Sequence, residues 1–232
     1  MIAVKNLRKT FGKLTVLEDL TLDLNEGGIY AILGPNGSGK TTFLKVLLGM
    51  VLPDKGTILF DKKDISKSND YRKNLGYLPQ IARFPDNITV KELIHMIIDI
   101  RQVSANPTPL VELFDLSPFL DKKLGNLSGG TRQKVNIVLT FMFDTSVLIL
   151  DEPTAGLDPV SLIKLKDLIA EARKQGKIIL ITSHIMSLVE ELADQIIFLL
   201  EGEIYFQGSL IELKEKTQEK DLEHAIASLL KP

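Results

Sequence analysis

The chain has 232 residues, is 44% hydrophobic and 25% charged, and carries a formal net charge of −2, which suits an α/β globular domain and does not mark a nucleic-acid surface. It has no cysteine, which excludes thiolate metal sites and thiol redox chemistry. The start, Met1-Ile2-Ala3-Val4-Lys5-Asn6, lacks a leader-like apolar stretch. Apolar runs such as 135–143 stop well short of the ~18 residues a membrane helix needs, so the chain is expected to form no pore of its own.

In chain order, Ile2-Ala3-Val4, Val16-Leu17 and Leu20 to Leu24 read as strands of a small antiparallel sheet closed by Gly27-Gly28. Thr57 to Phe60 adds another strand to it. Ile29 to Leu33 is a buried-strand run that feeds Gly34-Pro35-Asn36-Gly37-Ser38-Gly39-Lys40-Thr41-Thr42, and Thr41 to Leu48 reads as a helix. Strand, glycine loop and helix in that order form a phosphate-binding loop. From Thr89 the pattern turns helical: Thr89 and Glu92 have capping-box spacing before Leu93, Ile94, Ile97 and Ile98. Leu110 to Leu116 and Gly129 to Phe143 read as further helices, so residues 85–145 are expected to form a helical insertion. The runs 147–150, 177–182 and 195–200 suit a parallel sheet buried on both faces. Asp158-Pro159 opens a helix ending near Gly176, Glu203 to Phe206 is a strand, and the tail from Ser209 holds two amphipathic helices.

The glycines let the backbone approach a polyanion, and the helix after them presents its positive end. Lys40 adds a point charge at the β- and γ-phosphates, and the Thr41 hydroxyl is placed for Mg²⁺. Asp151 ends an apolar strand, where it can hold the metal through water, and Glu152 beside it is the natural general base for an attacking water. Ser128, Gly129 and Gly130 open a helix and so form a second anion site.

With the glycine loop, Leu127-Ser128-Gly129-Gly130-Thr131-Arg132-Gln133 and Leu150-Asp151-Glu152-Pro153 in this order, the chain resembles the ATP-binding subunit of ABC transporters over roughly residues 2–208. The resemblance implies a P-loop NTPase core with an N-terminal antiparallel β subdomain and the helical insertion, followed by a tail at 209–232. It implies ATP and Mg²⁺ as cofactors, and Gln80 as the glutamine that senses metal and water. It also implies that His184 faces the γ-phosphate and that Asp158 runs along a dimer seam. Ser128 to Gly130 would serve the nucleotide held by a second copy, so a head-to-tail homodimer is expected. Phe11 matches the position that stacks on adenine; core packing is its other reading, and Val16 is divided in the same way between adenine pocket and core. Thr131 departs from the commoner signature and is not expected to abolish hydrolysis.

A transporter subunit of this kind works with an integral-membrane permease at the cytoplasmic face of the inner membrane. The surface at Gln80-Ile81-Ala82-Arg83-Phe84-Pro85 reads as a docking groove or as an ordinary loop. Residues 76–85 and 127–135 look like the Nos-type subunit tied to nitrous oxide reductase maturation. That likeness implies copper or sulfur species as cargo and a periplasmic partner. The alternative class is a soluble single-cassette ABC ATPase that acts in protein or metal-cluster assembly without a permease.

Overall fold

Burial alternates along one early strand and is unbroken along the next, and this difference separates two sheets. The computed structural model describes residues 1–230. β1 (Ile2–Phe11), β2 (Leu14–Leu24), β4 (Lys55–Phe60) and β5 (Lys63–Asp64) form an antiparallel sheet in the order β2-β1-β4-β5. β3 (Gly28–Leu33), buried at every position, is central to a second sheet of order β10-β9-β3-β8-β7-β6. Its other strands are β6 (Leu75–Leu78), β7 (Val147–Asp151), β8 (Ile178–Thr182), β9 (Gln195–Leu200) and β10 (Glu203–Gly208). All its pairs are parallel except β9 with the edge strand β10.

Alternate residues of the parallel strands point to opposite faces, so the sheet divides two cores. Tyr30, Ile32, Ile149, Leu180 and Ile197 pack with α1 (Lys40–Leu47) and the antiparallel sheet. Ala31, Leu150, Ile181 and Phe198 pack on the opposite face. There they meet residues of α2 (Val90–Arg101), α3 (Thr108–Leu113), α4 (Gly129–Phe141), α5 (Pro159–Lys174), α6 (Met186–Leu192), α7 (Leu210–Thr217) and α8 (Leu222–Leu229). Helices α2 to α4 occupy the chain between β6 and β7.

Local chemistry fixes the helix ends. Thr89 Oγ1 accepts from the Glu92 N–H at 3.2 Å while Glu92 Oε2 accepts from the Thr89 N–H at 2.7 Å, a reciprocal cap for α2. Ser209 and Glu212 repeat the arrangement at α7, at 3.2 and 2.6 Å. Among the described residues no helix is long and apolar enough to cross a membrane.

Three details differ from the sequence reading. The early strands are longer than expected, because β1 and β2 run through bulges rather than stopping. Asn6 and Asp19 both take positive φ there (49° each), and Asn6 Nδ2 donates to Asp19 Oδ1 at 2.7 Å across the hairpin. The bulges break the period-two pattern, so Val4 and Leu7 are both buried. Second, α3 spans Thr108–Leu113, starting before and ending before the expected Leu110 to Leu116. Third, α6 has no counterpart in the expected elements: seven residues with two buried leave too little periodicity to detect.

Candidate nucleotide site

Four loops leave the C-terminal ends of β3, β6, β7 and β8, the edge of an open parallel sheet where ligands bind. They enclose a cleft of about 340 Å³ lined by Leu14, Val16, Asn36 to Thr42, Gln80, Asp151, Glu152, Thr182 and His184. Apart from Gly34 and Pro35, the expected phosphate, metal and hydrolytic residues on these loops therefore face one space.

The glycine loop turns directly into α1. Gly39 takes φ 100°, and a Cβ there would lie 2.7 Å from the Val16 carbonyl oxygen, so both backbone sign and space demand glycine. No side chain caps α1 at Gly39, which leaves first-turn amides free to meet an anion. Lys40 Nζ donates to the carbonyl oxygens of Gly34 and Pro35 at 2.6 and 2.9 Å, so the ammonium arches back over the loop. Burial lowers the Lys40 pKa below the usual lysine value, while the carboxylates of Glu152 and Asp151 push the other way. Gly34 and Pro35 shape the loop from behind and do not line the cleft.

Thr182 organises the acidic pair. Its hydroxyl donates to Asp151 Oδ1 at 2.6 Å and accepts from the Glu152 N–H at 3.1 Å. Thr182 is buried at 2% exposure and Asp151 at 8%. Glu152 takes φ 48°, a conformation uncommon outside glycine, with its N–H also bonded to the Thr182 carbonyl at 3.2 Å. His184 approaches the Glu152 carboxylate twice: its N–H donates to Oε2 at 3.3 Å, and its Nε2 lies 3.3 Å from Oε1. Neither Thr182 nor Leu14 stood out in the sequence; Thr182 ends β8 two residues before His184, and Leu14 opens β2 two residues before Val16.

The remaining candidates divide. Val16 is half-buried and lines the cleft. Phe11 is 50% exposed beside the hairpin turn, with Lys9 Nζ 5.2 Å from its ring centre, so it is not part of the sheet core. Ser128, Gly129, Gly130 and Asp158 do not line the cleft. Ser128 caps α4 by accepting from the Thr131 N–H at 3.2 Å. A Cβ on Gly130 would lie 2.8 Å from the Gly156 carbonyl oxygen, so the first turn of α4 and the Gly156 turn are packed backbone to backbone. Asp158 caps α5 through the Ser161 N–H at 2.9 Å and meets Lys134 Nζ at 2.8 Å. The Lys134 hydrogen bond, followed by those from Ser161, holds the Asp158 carboxyl well below the usual carboxylate range.

Known proteins share this arrangement. A sequence profile described as ABC transporter matches residues 17–155. The lantibiotic transport ATP-binding protein SrtF of Streptococcus pyogenes is 34% identical over 208 residues, covering 89% of this chain and 90% of that protein. The lipopolysaccharide export system ATP-binding protein LptB of Escherichia coli is 33% identical over 221 residues, covering 91% and 92%. A solved ATP-binding subunit of an ABC transporter superposes with a TM-score of 0.94 at 27% identity, covering 100% of both chains. A dimeric cassette bound to ADP and Pi, 23% identical, has the same fold at a TM-score of 0.81. The chain therefore belongs to the ABC transporter ATP-binding family, and its activity is ATP hydrolysis coupled to transport.

Proposed function

We propose that two copies of this chain close head to tail on two ATP molecules and that hydrolysis opens them, driving a separate permease at the cytoplasmic face of the cell membrane. The observation that carries this reading is the division of the donors: the cleft gathers the glycine loop, Gln80, Asp151, Glu152 and His184, while the Ser128–Gly130 helix end is not among its walls. A second copy supplies that end. ATP then contributes contacts to both subunits and favours the closed pair; loss of the γ-phosphate removes them.

In this reading Lys40 and the α1 amides bind the β- and γ-phosphates, and Glu152 accepts a proton from the attacking water. His184 holds the Glu152 carboxylate toward the cleft, and Phe11 stacks on adenine beside Val16. The cleft also fits Mg²⁺, since the Thr41 hydroxyl, the Gln80 side-chain oxygen and the Asp151 carboxylate are hard oxygen donors facing one space. Asp151 is anchored through one oxygen by Thr182, which leaves the other for the ion or its water. Bound there, the metal would offset phosphate charge.

The permease contact is assigned to a groove of about 360 Å³ bordered by Met50, Tyr77, Pro79, Phe84, Ile97 and Arg101. Exposed Ile81 (69%) and Met50 (62%) supply apolar surface beside it. The cassette occupies residues 2–208 with the helical subdomain at 85–145, and the tail from 209 packs on its core through Leu213, Leu222 and Ala225. Export is the direction favoured by relatives' names that state one, which include lipopolysaccharide export and Nod factor export. Copper or sulfur species as cargo, with a periplasmic partner, rests on the Nos-like stretches 76–85 and 127–135.

The test is affinity purification of the tagged Glu152→Gln chain from detergent-solubilised host membranes with ATP present. A co-purifying multi-span protein supports the transporter reading, and metal and sulfur analysis of that complex tests the cargo. Recovery of soluble partners alone moves the chain to the assembly-ATPase class.

A further inference from the structure

The buried face of α4 carries a polar seam. Gln133, Asn136 and Thr140 are 6%, 3% and 2% exposed and stand three and four residues apart, on one side of the helix. A buried polar side chain left unpaired costs about 1–3 kcal/mol, so what these three groups bond is informative. Gln133 Nε2 donates to the Pro153 carbonyl at 3.0 Å, and Asn136 Nδ2 points to the Pro79 carbonyl at 3.3 Å. Thr140 Oγ1 shares its proton between the Tyr77 carbonyl at 3.1 Å and the Asn136 carbonyl at 2.9 Å.

The acceptors are not arbitrary. Pro153 directly follows Glu152, and Pro79 directly precedes Gln80. Both lie past the last paired residues of β7 and β6, so the sheet ladder holds the Glu152 N–H against Thr182 but does not reach the Pro153 and Pro79 carbonyls. The amides of Gln133 and Asn136, 3.5 Å apart through Nδ2 and Oε1, do so from one helix. Asn136 also borders the groove that holds Phe84 and Arg101.

We propose that Asn136, acting with Gln133, is a positioning residue for hydrolysis: it sets the Gln80 turn and the Glu152 turn in one register with the signature helix, at the wall of the permease groove. The inference rests on the reading of Gln80 and Glu152 as the groups that act at the γ-phosphate. The helix α1 that follows the glycine loop packs in the separate core on the other face of the sheet, so the seam is expected to act on turnover more than on binding. Small displacements of reacting groups matter far more to a chemical step than to overall affinity.

The experiment compares Asn136→Leu, which keeps the branching of asparagine but is bulkier and cannot hydrogen-bond, with Gln133→Leu and the double variant in the full chain. ATP affinity by fluorescent-analogue displacement, kcat at saturating ATP and melting temperature are measured for each. Asn136→Leu is expected to lower kcat about five- to tenfold, the equivalent of one hydrogen bond, because the Gln80 turn loses its anchor at Pro79, with affinity within about twofold. The double variant should lose no more than the worse single variant, because both act through one junction. Asn136→Ser, too short to reach Pro79, covers the case in which leucine does not fold, and should show the same loss of kcat. A lowered melting temperature with unchanged kcat, or losses in kcat that multiply, overturns the inference. Parallel Glu152→Gln and Gln80→Ala arms separate the two ideas: wild-type turnover in either refutes the site reading itself.

Discussion

Replacing Thr182 with valine keeps the side-chain shape and removes only its hydroxyl chemistry. The hydroxyl donates to Asp151 Oδ1 at 2.6 Å and accepts from the Glu152 N–H at 3.1 Å. A hydrogen bond to a charged acceptor contributes about 1.5–3 kcal/mol, and the second loss is small because Glu152 N–H keeps the Thr182 carbonyl at 3.2 Å. Thr182→Val should therefore destabilise the fold by about 2–3 kcal/mol, or roughly 4–12 °C in melting temperature for a domain of this size. Glu152 should also lose orientation, because its left-handed backbone (φ 48°) then keeps one anchor fewer. Differential scanning calorimetry of the two proteins reads the first effect, and kcat at saturating ATP reads the second, expected to fall at least about tenfold. A variant that melts within about 1 °C of wild type and turns over normally would show that the hydroxyl does not organise the acidic pair.

Three further outcomes test other parts of the site and the tail. Phe11→Ala should weaken ATP binding by about 1–3 kcal/mol in a calorimetric titration if the ring stacks on the base; unchanged affinity removes Phe11 from the pocket. Lys40→Ala and Ser128→Arg proteins should each be inactive alone, yet regain hydrolysis when mixed, since one of the two mixed sites keeps both intact halves; no recovery at any ratio contradicts the shared site. The His224 ring lies 2.8 Å from Asp221, the residue that caps α8, and that hydrogen bond, followed by the Asp221 charge, raises the His224 pKa. Its contribution to holding α8 is complete below the ordinary histidine value and is lost as pH rises through the raised one. Amide protection in α8, corrected for intrinsic exchange, should thus fall across that window and become flat in His224→Gln.

What could be read from the sequence was what short-range spacing dictates. The glycine loop before α1, the acidic pair at the end of β7 and the cap at Thr89/Glu92 each depend on neighbours within a few positions, and these local elements fall where the spacing puts them. The division into two sheets was legible for a similar reason, since continuous apolar runs and alternating ones have different physical causes. Thr182, Leu14 and Asn136 were not legible, because their roles come from chain segments that meet only after the sheet is assembled. Phe11 shows another limit. Register shifts within β1 move the side chains off strict alternation, so neither its sequence position nor its apolar character told which side it would face.

ATP shared between two copies of the chain should hold them together, and sedimentation velocity of Glu152→Gln with Mg²⁺ and ATP reads that association. A stable dimer is expected with ATP, reverting to monomer with ADP, and that dimer should be lost when Ser128→Arg is added to the same chain. A Glu152→Gln protein that binds ATP fully yet sediments as a monomer at every concentration would contradict it.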